Sequence, residues 1–123
     1  MAWKTVDNDI YLTRGDTAPM PFTLTSKSDS KVRYIPEAGT DTLIFTVKKS
    51  TSDKTAIITK SLAAGDITFD SAGNGTINIL PADTASLDYG IYYYDLQLTT
   101  PDAAGVQTVI TPSVFKVCEE VTF

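Results

Sequence analysis

The sequence predicts an all-β fold, a two-sheet antiparallel sandwich of about 7–9 short strands with one helical turn near residues 81–86. Two observations predict it. Apolar and polar residues alternate through almost every stretch, and no window holds the i, i+3, i+4 spacing of an amphipathic helix for more than a turn or so. Clusters of Gly, Pro, Asp, Asn and Ser break that alternation at intervals of about ten residues, as in chains of hairpin-connected strands. A closed barrel is the main structural alternative. No internal repeat is visible, which argues against propellers and solenoids.

Residues 1–8 read as a loose N-terminal arm, and 1–123 as a single domain large enough to bury a core without disulfides or metal. Ile10–Thr13 and Met20–Thr25 are candidate strands divided by Arg14-Gly15-Asp16-Thr17. Pro19 and Pro21 withhold ladder donors, which places their strand at a sheet edge or at a crossing between sheets. Ser26 to Asp41 is the longest loop and the expected site of flexibility, rich in serine and charge with Pro36 and Gly39.

A clean strand follows, Thr42–Lys49, with Leu43, Phe45 and Val47 on one face and Thr46 and Lys48 on the other. Ala56–Lys60 and Asp66–Asp70 read as short strands. Ser71-Ala72-Gly73-Asn74-Gly75 supplies the residues a hairpin turn needs, and Thr76–Leu80 returns. Pro81 to Ser86 suits a single helical turn bridging two sheets. Gly90–Thr100 is the longest strand, with Tyr92, Tyr94, Leu96 and Leu98 on one face. Pro101 to Gly105 turns it into Val106–Thr111, and after Pro112 a last strand resumes at Val114–Val117, with Phe115 and Val117 inward and Lys116 outward.

Composition excludes several function classes. With no histidine and one cysteine in 123 residues, the usual neutral-pH acid–base, the Ser-His-Asp triad and most zinc and iron sites are missing. Nucleotide-loop and hydrolase-elbow motifs are absent too. No cofactor, metal site or catalytic residue is therefore assigned, and no enzyme activity is expected. A net charge of −5 with scattered Lys and Arg argues against nucleic acid and against an anionic membrane. Cys118 forms no internal disulfide, which fits synthesis in a reducing cytoplasm. No signal peptide or transmembrane stretch is visible, and the initiator end reads as unprocessed.

Some local signals carry both a bland and a functional reading. Asp66, Asp70, Asp83, Asp88, Asp95 and Asp102 offer carboxylates for sugar cleavage, yet no spacing selects a pair, and at turns aspartate ordinarily bonds backbone amides. Asp70 to Gly75 is oxygen-rich but lacks the acidic ligand pattern of a calcium loop, so a hairpin is preferred. Arg14-Gly15-Asp16 spells a receptor-recognition tripeptide, for which an ordinary turn is a sufficient account. Trp3, Tyr89 and Tyr93 are candidates for an exposed contact surface, with Tyr93 and Asp95 facing away from Tyr92 and Tyr94.

Asp88-x-Gly90-x-Tyr92-x-Tyr94 has the spacing of the Asp-x-Gly-x-Tyr-x-Cys segment that enters strand F of immunoglobulin domains. The expected fold is accordingly immunoglobulin-like. Tyr92 is expected to return its hydroxyl to backbone in the preceding turn, and Tyr94 to fill the space a disulfide would cross.

Three segments together carry a wider resemblance: Ile10 to Pro19 with its Arg-Gly-Asp-Thr turn, the strand Thr42–Lys49, and Pro81-Ala82-Asp83-Thr84 followed by Gly90 to Leu98. They resemble the N-terminal domain of baseplate upper proteins from tailed phages, or prophages, of Gram-positive hosts. The likeness runs from about Asp9 to Thr122 and is sharpest in the Arg-Gly-Asp-Thr turn and the Tyr-Tyr-Asp-Leu-Gln-Leu strand. It implies a non-enzymatic module, made in the host cytoplasm and assembled into the virion, that docks onto other tail or baseplate proteins without a cofactor. Self-association stays open. The residues expected to touch partners are Arg14, Gly15, Asp16, Tyr93 and Asp95. The alternative is a carbohydrate-binding or adhesion module for cell-wall polysaccharide, using exposed tyrosines and loop aspartates.

Overall fold

The computed structural model describes residues 3–6, 9–24, 33–101 and 105–119, with side chains described throughout except at 3–6 and 107–112. In chain order the elements are β1 (Trp3–Val6), β2 (Asp9–Thr13), β3 (Ala18–Thr23), β4 (Thr42–Lys48), β5 (Ile58–Ser61), β6 (Ile67–Phe69), β7 (Asn74–Ile79), α1 (Pro81–Thr84), β8 (Gly90–Thr99) and β9 (Val106–Cys118). They form a six-stranded sheet, β1-β2-β9-β8-β4-β5, and a three-stranded sheet, β3-β7-β6. With β3, β4, β6, β7, β8 and β9 as strands B, C, D, E, F and G, this is the grouping of an immunoglobulin-like sandwich, and β5 extends the C side as in the variable type. All pairs are antiparallel except β2 with β9, which run parallel.

Strand alternation builds the core. Leu43, Phe45 and Val47 of β4, Tyr92, Tyr94, Leu96 and Leu98 of β8, Phe115 and Val117 of β9, and Ile10 and Leu12 of β2 are all buried on the inner face of the large sheet. Ala18, Met20, Ile67, Ile77 and Ile79 meet them from the small sheet. Tyr94 lies in the inter-sheet space with its ring centroid 5.2 Å from that of Phe45, which is in turn 6.3 Å from Phe115.

The prolines behave as their missing donors require. β3 is an edge strand of the small sheet, and the turn before it carries the chain across from the large sheet, so both expectations for Pro19 and Pro21 are met at once. Pro112 does not end a strand: β9 runs through it. Between the pairs Tyr94↔Ser113 and Leu96↔Ile110, two residues of β9 oppose the single residue Asp95, and Pro112 is accommodated in that bulge.

Two expectations need correction. Within the supposed loose arm of residues 1–8, Trp3–Val6 form a strand paired antiparallel with β2. The register, from Trp3↔Leu12 to Val6↔Asp9, adds this strand to the edge of the large sheet. Within the supposed flexible loop, residues 26–32 lie outside the described residues, but the rest is tied down. The Tyr34 N–H donates to the Leu24 carbonyl, and the Tyr34 hydroxyl and the Glu37 N–H both donate to the buried Asp41 carboxylate. A buried carboxylate is tolerated only when bonded in this way, and the bonding fixes the segment.

Candidate interaction surface

The expected partner-binding residues fall in two places. Arg14, Gly15 and Asp16 form the turn from β2 to β3 at the end of the sandwich where β8 begins. The Gly15 N–H donates to Thr84 Oγ1 at 2.9 Å, and Thr84 is fully buried. The Arg14 guanidinium donates to the Leu87 carbonyl at 3.2 Å and lies 4.3 Å from the centroid of the Tyr89 ring. Arg14 is thus spent on holding the corner between α1 and β8. Its charged head is turned to the protein, unlike that of a receptor-seeking tripeptide on an open loop.

Tyr93 and Asp95 lie elsewhere, on the outer face of the six-stranded sheet. Alternation along β8 sends Tyr92 and Tyr94 inward and Ile91, Tyr93, Asp95 and Gln97 outward, and register sets Tyr93 opposite Lys48 and Asp95 opposite Thr46. Ile91 and Tyr93 are 48% and 36% exposed on the outer face at the start of β8, and Tyr89, 42% exposed, precedes them in the bend that enters the strand. Beyond Tyr93, an open-sided pocket of about 160 Å³ is lined by Thr46, Lys48, Thr51, Tyr93, Tyr94, Asp95 and Gln97.

Inside the sheet, burial first and the Asp9 charge second push the Tyr94 hydroxyl up to about 12. Burial, then the Asp88 charge, also raises Tyr92.

The loop carboxylates are structural. Asp70 Oδ1 accepts from the Ala72 and Asn74 amides at 2.9 Å each, and its Oδ2 accepts from Asn74 Nδ2. The Asn74 side chain, then the backbone amides, hold Asp70 below its ordinary value. Asp83 meets Lys60 Nζ at 2.7 Å and accepts from the Leu80 N–H. Asp66 accepts from the Ser61 amide. Asp102 and the Trp3 side chain lie outside the described residues. Among the described residues no group of three or more His, Cys, Asp or Glu is placed to hold a metal ion, and no helix is long and apolar enough to cross a membrane.

Sequence reasoning missed Thr84, the Lys60–Asp83 pair and the β4 side of the pocket. Alternation already put Thr46 and Lys48 on the outer face, but only strand register says that they stand beside Tyr93 and Asp95. Comparison of the chain with protein-family models, with curated proteins and with solved structures gives no match.

Proposed function

We propose that this domain is a non-enzymatic structural component of a bacteriophage tail or baseplate that docks onto other virion proteins. One observation supports the reading: two of the three segments that bear the resemblance, Ile10 to Pro19 and Pro81 to Thr84 with Gly90 to Leu98, meet in one packed corner with the residues that link Thr84 to Gly90. Gly15 bonds Thr84, Arg14 bonds Leu87 and stacks on Tyr89, and Tyr92 bonds Asp88. The corner leads directly into β8, so Tyr89 in the entering bend and Ile91 and Tyr93 on the strand form an exposed stripe beside it. Exposed aromatic and aliphatic side chains on such a support offer contact area at little entropic cost, which suits a protein interface. In this reading the Arg14–Asp16 turn shapes the docking surface, and the stripe makes the contact.

Cross-linking of intact particles induced from the strain that carries the sequence tests the proposal. Lys48 and Lys116 stand opposite Tyr93 and Ile91, and peptides joining them to tail or baseplate proteins are expected. Absence of the chain from purified virions overturns it.

A further inference from the structure

The pocket beyond Tyr93 differs from the other polar clusters described above. Asp41, Asp66, Asp70, Asp83 and Lys60 are each spent on an internal partner. Among the described residues, the side chains of Thr46, Lys48, Thr51, Tyr93, Asp95 and Gln97 have no internal hydrogen bond or ion pair. Six polar side chains converge on one pocket with their bonding capacity unused.

Two further observations mark it as built. The bulges of β9 fall opposite the pocket: register shifts lie between Tyr94 and Leu96 and between Leu96 and Gln97, so Asp95 has no single cross-strand partner on β9. Bulges re-aim side chains and are over-represented beside sites. The pocket rim is also pre-formed. Thr51 sits in a turn closed by the Asp53 N–H to the Ser50 carbonyl at 3.0 Å and the Ser50 N–H to Asp53 Oδ2 at 3.1 Å.

We propose that this pocket binds one ring of a neutral, hydroxyl-rich ligand, a hexose or a single residue of a longer glycan. A sugar ring has an apolar C–H face and a rim of hydroxyls that both donate and accept. Tyr93 supplies an aromatic surface for the first. For the second, Asp95 accepts, Lys48 donates, and Thr46, Thr51 and Gln97 do both. The charges of Lys48 and Asp95 balance, so a free anion meets Asp95 and a free cation meets Lys48, and neither is favoured over a neutral ligand. A volume of about 160 Å³ is below that of pockets for drug-sized ligands, which sets the occupant at one ring. The site shares Tyr93 with the proposed docking stripe, but binding of a sugar by the free chain does not depend on the docking role.

Titration of the isotopically labelled full chain with glucose, galactose, rhamnose and N-acetylglucosamine, followed by amide NMR, tests it. At least one of these sugars should give saturable shifts centred on residues 46–51 and 93–97, with a Kd of about a millimolar. Asp95→Asn should weaken that binding by about tenfold, and Asp16→Asn should not change it. Asp95 is half-buried and has no internal bond to lose, so Asp95→Asn should fold, which spectral dispersion verifies. Glucuronate should bind more weakly than glucose. The proposal is overturned by saturable shifts from none of the four sugars, by shifts centred elsewhere, by binding indifferent to Asp95→Asn, or by a preference for glucuronate.

Discussion

The hydroxyl of Tyr92 donates to the main-chain carbonyl of Asp88 at 2.9 Å, closing the corner through which the chain enters β8. Gly90 lies between them at φ +145°, a conformation a side chain would resist, so the aspartate, glycine and tyrosine of the motif serve one geometry. The Tyr92 ring is buried, and the Lys49 ammonium lies 4.6 Å from its centroid. Tyr92→Phe removes the donor and should lower stability by about 1–3 kcal/mol. Tyr93→Phe, on the outer face, should leave the urea midpoint almost unchanged. Equal midpoints for the two variants would remove the energetic argument for the corner.

Thr84 secures the neighbouring turn. Its buried hydroxyl is the acceptor for the Gly15 N–H, and no apolar isostere can replace it. Thr84→Val keeps the shape but strands that amide, at a cost of about 1–3 kcal/mol, whereas Thr84→Ser keeps the acceptor and should lose less. Hydrogen exchange at the Gly15 amide checks this directly: protection should fall in the valine variant and persist in the serine one.

Lys60 is buried on the inner side of β5 and pairs with Asp83 of α1, their side chains 7% and 21% exposed. The pair joins an edge strand to the bridging turn. Removing the carboxylate in Asp83→Ala leaves a buried ammonium unpaired, and a loss of roughly 3 kcal/mol is expected. Lys60→Met should cost less, because Asp83 keeps the Leu80 N–H and the methionine fills the volume. Thermal melts of the two variants that rank the other way would show that the lysine is not held by this pair.

The sandwich was legible because its signals are local. Alternation in Leu43 to Val47 and Tyr92 to Leu98 sets which side chains face inward, and Pro81 at the start of α1 marks the bridging turn. The candidate site was half legible for the same reason. Tyr93 and Asp95 could be placed on the outer face from β8 alone, but their neighbours Lys48 and Thr46 come from a strand more than forty residues earlier, and register between distant strands leaves no mark in either. The bulge at Pro112 was hidden because a proline reads equally as a strand end. The bonds of the Arg14 turn to Leu87 and Thr84 were not legible, since they are set by tertiary packing.

Gly75 is needed for space. It pairs with Phe22 on one side and Phe69 on the other, and the two rings close over it in an edge-to-face contact with centroids 5.3 Å apart. A Cβ there would lie 2.6 Å from the Phe22 ring and 2.9 Å from that of Phe69. Gly75→Ala should therefore destabilise by about 1–3 kcal/mol through overpacking. Adding Phe22→Leu should recover part of that loss, and strictly additive losses in the double variant would contradict the steric cause.

Alkaline pH should unfold the domain through its central tyrosine. Tyr94 is pushed up to about 12 from an ordinary 10.0, first by burial and then by the Asp9 charge. Above the ordinary value the unfolded chain gives up this proton while the folded chain keeps it, so the unfolded state is favoured as pH rises. The contribution is whole below pH 10.0, declines between 10.0 and about 12, and is constant above that. Tyr92, also raised by burial and by Asp88, adds to the same slope. Urea midpoints measured across this window should fall in the native chain and fall less in Tyr94→Phe, with Tyr92 supplying part of the residual slope. Asp9→Asn removes the second cause and should bring the end of the decline to lower pH, although it also weakens the acceptor for the Val114 N–H, so its midpoint starts lower at neutral pH. Tyrosinate absorbance separates the two effects, because it follows ionisation in the folded chain: the high-pH part of the curve should move down in Asp9→Asn and lose amplitude in Tyr94→Phe. A native slope that Tyr94→Phe leaves intact would assign alkaline unfolding to other groups.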